Sequence, residues 1–186
     1  MEKLNTNKKR IVLGSKSPRR KELLNLMGLD FKIKKLNIKE TFPKKLSPIQ
    51  TALFLSQKKA DAYKIHKDEI LICADTIVYR NRDIFGKPKS KKEAIKMLQS
   101  MSNKKHYVVT GVTLRNSMKK ISFYDKTTVY FKSISKSEIL FYVNNYNPLD
   151  KAGGYGIQDW IGLIGVEKIS GSFYNVMGLP TNKIYQ

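Results

Sequence analysis

The densest chemistry in the chain lies in Ser15-Lys16-Ser17-Pro18-Arg19-Arg20, directly after the apolar run Ile11-Val12-Leu13. These six residues hold the hydroxyls of Ser15 and Ser17, the guanidiniums of Arg19 and Arg20, and a helix start at Ser17-Pro18. A helix N-terminus presents amides with partial positive charge, and arginine meets phosphate oxygens as a fork. The cluster therefore reads as a phosphate site. The alternative is a capped helix with exposed arginines. The segment lacks both the P-loop pattern and GxGxxG, so neither Walker-type nor dinucleotide binding has support.

Asp75 closes the run Ile70-Leu71-Ile72-Cys73-Ala74. A buried carboxylate is costly unless paired, and α/β folds place chemistry at the C-terminal ends of strands. Asp75 could coordinate a divalent cation or take a proton from water, with a cap or turn role as the alternative. Lys59 sits among apolar helical turns, and Lys87 is held between Gly86 and Pro88. Each is a point charge suited to phosphate, or an ordinary surface lysine. Glu40 could supply a second metal carboxylate or simply face solvent. Gln158 offers a donor and an acceptor to a ring edge. Tyr155 could stack on a base or pack in a core. Packing is expected for Trp160.

Mixed strands and helices must position these groups. Ile11–Leu13 reads as a buried strand, followed by a helix from Pro18 that stops at Gly28. Phe31–Ile38 reads as a second strand. Ser47-Pro48-Ile49-Gln50 opens a helix to about residue 64 with a capping-box pattern. Glu69–Tyr79 is expected as a buried strand interrupted at Asp75. Asn81-Arg82-Asp83 is a turn and Gly86-Lys87-Pro88 a loop. Ser90–Glu93 opens a helix to Met101 with the same box. Tyr107–Leu114 and Lys120–Phe131 pair as a hairpin. Ser135–Glu138 opens a helix that ends near Asn145. Ile161–Ile169 is expected as the final strand. Residues 1–9 are polar and expected to fray. The class is α/β, with one domain over 1–186 in two lobes around a central cleft.

Composition narrows the function. The chain has 186 residues, 36 Lys+Arg against 15 Asp+Glu, and a formal net charge of +21. That invites a nucleic-acid reading. Only six of the cations are arginines, however, and the thirty lysines are scattered. No RRM, KH, helix-turn-helix or zinc pattern is present. A basic nucleic-acid-binding protein therefore stands as the alternative, with Tyr142, Tyr146 and Tyr155 available for stacking. Cys73 is the single cysteine, which excludes a disulfide framework and CxxC chemistry. His66 and His106 make no metal-ligand spacing. No apolar stretch approaches a membrane span and no signal-type core opens the chain, so the cytoplasm is the expected compartment.

Taken in order, these segments resemble the Maf family of nucleoside triphosphate pyrophosphatases. The resemblance runs from Ile11 to Pro180. It is carried by Leu13-Gly14-Ser15-Lys16-Ser17-Pro18-Arg19-Arg20, Lys59-Ala60, Ala74-Asp75-Thr76, Gly86-Lys87-Pro88, Thr110-Gly111-Val112, Pro148 to Gln158, Gly171-Ser172 and Asn175 to Pro180. It implies hydrolysis between the α and β phosphates, dependence on Mg²⁺ or Mn²⁺, and a homodimer. The implied fold is an elongated mixed sheet flanked by helices, similar to the inosine triphosphatase type, with the site in a cleft between two lobes. Asp75 is implied as general base or metal-linked water activator, and Glu40 as a metal carboxylate. Arg19, Arg20, Lys59 and Lys87 are implied as a triphosphate cradle, with Ser15 among the matching positions. The segment Gly156-Ile157-Gln158 resembles the subgroup acting on dTTP and UTP. Another subgroup prefers 7-methyl-GTP. Asp159-Trp160 departs from the pattern, which often has glycine after the glutamine. The implied partners are nucleoside triphosphates, with no membrane and no specific nucleic-acid polymer.

Overall fold

The computed structural model of the chain describes residues 9–186. Apart from Lys9, the segment expected to fray lies outside the described residues. Seven strands form one mixed sheet, flanked by helices. They are β1 (Arg10–Leu13), β2 (Phe31–Ile33), β3 (Glu69–Arg80), β4 (Asp83–Phe85), β5 (Lys105–Arg115), β6 (Lys120–Phe131) and β7 (Val166–Ser170). Their order is β2-β1-β3-β5-β6-β7, with β4 paired to β3. The helices are α1 (Pro18–Leu26), α2 (Pro48–Asp61), α3 (Lys91–Met101), α4 (Lys136–Tyr146), α5 (Trp160–Gly165), α6 (Phe173–Met177) and α7 (Thr181–Tyr185).

The chain divides into two compact units. The first comprises residues up to Asp75, Thr110–Asp125 and Gly178–Gln186. In it, β1 is the hub, parallel to β2 on one side and to β3 on the other. Val12, Leu71 and Cys73 pack with Ala60 of α2, and Leu36, Tyr63 and Ile65 close around them. Two glycines permit this packing. A Cβ on Gly14 would lie 2.6 Å from the Cys73 sulfur, and one on Gly111 would lie 2.5 Å from the Ala52 backbone in α2. The Ser47 capping box of α2 forms as expected, with Gln50 N–H donating to Ser47 Oγ and Ser47 N–H donating to Gln50 Oε1.

The expected second strand is cut short at Ile33. Lys34 N–H still donates to Leu13 O, but Gly14 N–H turns to Ile72 O of β3. With β1 ended, residues beyond Lys34 have no parallel partner there, and they run irregularly to the start of α2.

The second unit comprises Thr76–Val109 and Lys126–Met177. Its strand β4 is antiparallel to β3, and its β7 is antiparallel to β6. Ser90 and Ser135 both accept from the amide three residues on, which starts α3 and α4. Only the α4 box is complete. At α3, Glu93 accepts from Lys89 N–H instead.

The expected final strand over 161–169 is corrected to α5 followed by β7. A short apolar run does not separate strand from helix by periodicity. What decides it is close approach. Gly162 N–H donates to Asp159 O at 2.8 Å, and a Cβ on Gly162 would lie only 1.8 Å from Ile157 O. Gly165 is also close-packed, where a Cβ would lie 2.8 Å from Ile134 Cδ1. We expect Gly162→Ala to destabilise the protein by roughly 2–4 kcal/mol, read as a lowered urea midpoint. An unchanged midpoint would show that the α5 packing is looser than described.

Candidate active site

Asp75 stands at the centre of the first unit's chemistry. β3 is not interrupted at Asp75, contrary to the sequence expectation. The relevant end is that of its pairing with β1, whose last rung is Leu13 with Ile72. Asp75 lies three residues beyond that rung and is buried, at 7% exposure. Lys59 of α2 donates to Asp75 Oδ1 at 2.5 Å and lies 2.8 Å from Glu40 Oε1. The ammonium thus sits between two carboxylates. Its neighbour Lys58 donates to Thr41 O at 3.0 Å, so adjacent lysines in the last turn of α2 hold residues 40 and 41. Burial pushes the Asp75 carboxyl above the usual carboxylate range, and the charges of Lys59 and Arg20 oppose that rise. A carboxylate of raised proton affinity is suited to take a proton from water.

Ser15, Ser17, Arg19 and Arg20 belong to the same unit. Ser17 makes no side-chain cap at α1, contrary to expectation. Instead its N–H donates to Ser15 Oγ at 3.2 Å, a local turn that draws the two serines together. Arg19 is half-buried. Arg20 is buried. Its Nε donates to Gly178 O and its Nη1 to Ala74 O, both at 2.8 Å, with Ser15 Oγ at 3.2 Å. Nothing in the sequence pattern reveals these carbonyl partners, because Gly178 is 158 residues away. Cys73, one residue before Ala74, is fully buried. Desolvation pushes its thiol up to about 12 and keeps it protonated.

The second unit holds Lys87, Tyr155 and Gln158. Lys87 is exposed on its loop, and Gly153 N–H donates to Gly86 O at 3.0 Å, tying that loop to the glycine-rich segment. Gly153 needs its positive φ of 74°, and a Cβ there would meet Val78 at 3.0 Å. The turn Gly156–Asp159 is closed by Asp159 N–H donating to Gly156 O at 3.0 Å. Tyr142 clamps it from outside, accepting from Gly156 N–H at 3.0 Å and donating to Asp159 Oδ2 at 2.7 Å. Asp159, the departure noted in the sequence, is therefore part of the turn's anchor. Gln158 lies within the turn, and its Oε1 is buried without a hydrogen-bond partner among the described residues. A buried acceptor left in that state calls for a donor.

Of the two readings open for Tyr155, burial supports packing. The ring is 5% exposed and meets His106 and Phe131 edge to face. Its hydroxyl is 2.7 Å from His106 Nε2. Trp160 packs on Phe141 with centroids 4.8 Å apart, as expected. His106 is fully buried, and desolvation, with a smaller push from the Arg80 charge, lowers it to about 3. Among the described residues no group of three or more His, Cys, Asp and Glu converges to hold a metal. Glu40 and Asp75 are the two carboxylates brought together. As hard oxygen donors they suit a divalent cation that takes its remaining ligands from phosphate and water.

With this geometry in view, the relatives fall into place. The family model described as Maf-like protein matches residues 10–186. The chain belongs to the Maf family. Its curated relatives include the dTTP/UTP pyrophosphatase of Cytophaga hutchinsonii, 49% identical over 175 residues, covering 94% of this chain and 80% of that protein. The proteins of the same name from Parabacteroides distasonis and Bacteroides thetaiotaomicron are 45% and 46% identical, covering 98% and 97% of this chain and 96% and 95% of theirs. A Ham1 protein of Staphylococcus aureus aligns at a TM-score of 0.46 and 14% identity over 66% of this chain and 72% of its own, a likeness too distant to carry weight. No helix among the described residues is long and apolar enough to cross a membrane.

The buried imidazole makes a pH prediction. His106 is neutral in the fold, while an exposed histidine titrates near its ordinary 6.5. Between about pH 6.5 and 3 the unfolded chain binds the extra proton. The stability is thus fully present above the unfolded value and is lost as pH falls through that window. The full loss is on the order of 5 kcal/mol. Urea unfolding across this window is expected to show a shallower acid decline for His106→Gln than for the wild type. Identical declines would mean that His106 does not set the dependence.

Proposed function

We propose that this chain hydrolyses dTTP and UTP between the α and β phosphates, giving the monophosphate and pyrophosphate. The observation that carries the reading is Lys59 held between Asp75 and Glu40, in the same unit as the Ser15–Arg20 turn. Family membership and the names of the three relatives support it.

Asp75 orients the attacking water and takes its proton as the new phosphorus–oxygen bond forms. The α–β phosphoanhydride bond breaks as that bond forms, releasing the monophosphate and pyrophosphate. Ser15, Ser17, Arg19 and Lys59 of the first unit supply donors and fixed positive charge that stabilise the transition state at the phosphates, and the exposed ammonium of Lys87 is a further point charge suited to phosphate. Glu40 and Asp75 would hold Mg²⁺ or Mn²⁺ together with phosphate oxygens. When bound, that cation neutralises developing phosphate charge and lowers the proton affinity of bound water. Gln158 reads the base. Its unpartnered Oε1 suits the ring N–H that uracil and thymine present, whereas the same ring position of cytosine is an acceptor. The protein acts in the cytoplasm as a homodimer. Exposed Phe141, Tyr146 and Leu163 support self-association, and an unbridged Cys73 suits a reducing compartment.

A nucleotide panel with Mg²⁺ tests the reading. Pyrophosphate release from dTTP and UTP is expected, abolished by chelation. Orthophosphate as the sole product, or tight oligonucleotide binding without turnover, would falsify it. Asp75→Asn is expected to lower kcat by about 10³-fold or more, because it removes the base. The fold should survive, since Lys59 keeps Glu40 as its partner.

A further inference from the structure

We propose that Arg20 is a positioning residue. Its buried guanidinium fixes Ser15 Oγ as a hydrogen-bond donor for a phosphate oxygen, and fixes the Ala74 carbonyl beside Asp75. It acts through those two groups and not as a phosphate ligand. The inference rests on the hydrolase reading above and departs from the cradle role that the family resemblance implies for this residue.

Three observations carry it. First, Arg20 is 8% exposed, unlike half-buried Arg19 beside it on α1. Second, the fork is committed to protein oxygens. Nε donates to Gly178 O and Nη1 to Ala74 O, each at 2.8 Å. One planar group thereby joins α1, the strand carrying Asp75 and the segment after α6. Lysine could not reproduce those directions, because its donors radiate from one point. Third, Ser15 Oγ accepts twice. Ser17 N–H and Arg20 Nη1 each approach at 3.2 Å. A hydroxyl has two lone pairs and one proton, so the proton is what remains to be given. A phosphate oxygen, which only accepts, is the complement.

The backbone agrees with this use. Gly178 has a φ of 115°, in the left-handed region that favours glycine. Leu179 beside it is fully buried, so the Gly178 carbonyl is held at a fixed place in the unit. Arg20 is thus a strut whose far end is anchored. Burial lowers its pKa and the Asp75 charge opposes that, which makes the two groups mutually dependent.

The experiment compares Arg20→Lys, which keeps the charge, with Arg20→Gln, which removes it. For each folded variant, kcat and KM for dTTP are measured together with the Kd for inorganic tripolyphosphate. Positioning predicts that both variants lose at least about tenfold in kcat while the tripolyphosphate Kd stays within about threefold of wild type. Tripolyphosphate binding that weakens about tenfold in Arg20→Gln yet survives in Arg20→Lys would make Arg20 a phosphate ligand and overturn the proposal. A lowered Tm with kcat and KM unchanged would make it purely structural, which also overturns it. If neither variant folds, Ser15→Ala decides. The proposal requires it to lose at least about fivefold in kcat/KM at unchanged Tm, and no loss overturns it. Pyrophosphate release by the wild type, run in parallel, reports on the hydrolase reading separately.

Discussion

A carboxylate taken out of water is the constraint around which the first unit is built. Asp75 is buried beyond the point where β3 parts from β1, and an uncompensated charge there would unfold the site or neutralise itself. Lys59 answers the charge directly from α2. Arg20 answers it at one remove, through the carbonyl of Ala74. The two cations approach from different helices, so α1 and α2 must both be docked before Asp75 is tolerable. The tight glycines follow from the same need. Gly14 lets the turn after β1 pass Cys73, and Gly111 lets β5 lie on α2.

The cations divide their labour according to their chemistry. Lys59 is a point charge and can serve two carboxylates at once with no fixed angle. Arg20 is a planar fork and meets oxygens whose directions the backbone has already set. The second unit positions Gln158 without placing a charge on it. Tyr142 grips the Gly156–Asp159 turn by an amide and a carboxylate, and Gln158 is carried between them. Within a chain of net charge +21, Lys59 and Arg20 thus stand out as cations held against defined partners.

Much of this was legible in the residues. Helix starts at Ser47, Ser90 and Ser135 were visible because capping is local chemistry. Lys59, Asp75 and Glu40 could be singled out one by one, since each is a charged group in an informative setting. Their meeting at one ammonium could not, because it depends on how α2 lies against β3. The same limit explains Arg20. Its type suggested phosphate, whereas two of its partners are the backbone oxygens of Ala74 and Gly178, which carry no side-chain signature. Ile161–Ile169 misled for a different reason, as its glycines encode contact with Ile157 and Ile134 and not strand geometry. Tyr155 showed the opposite case. Its aromatic ring suited either role, and only the placement of His106 decided between them.

The sequence separation between Arg20 and Gly178 has a bearing on biosynthesis. The first unit is assembled from three stretches of chain, and its strut ends on a residue made 158 positions after the one that reaches for it. Domains made in one continuous stretch can fold while the rest of the chain is still being synthesised. This unit cannot. Until residue 178 has left the ribosome, Arg20 lacks its anchor and Asp75 lacks a finished setting. The nascent chain therefore holds Ser15, Arg20 and Asp75 without their finished hydrogen-bonded setting until the segment around Gly178 has been made.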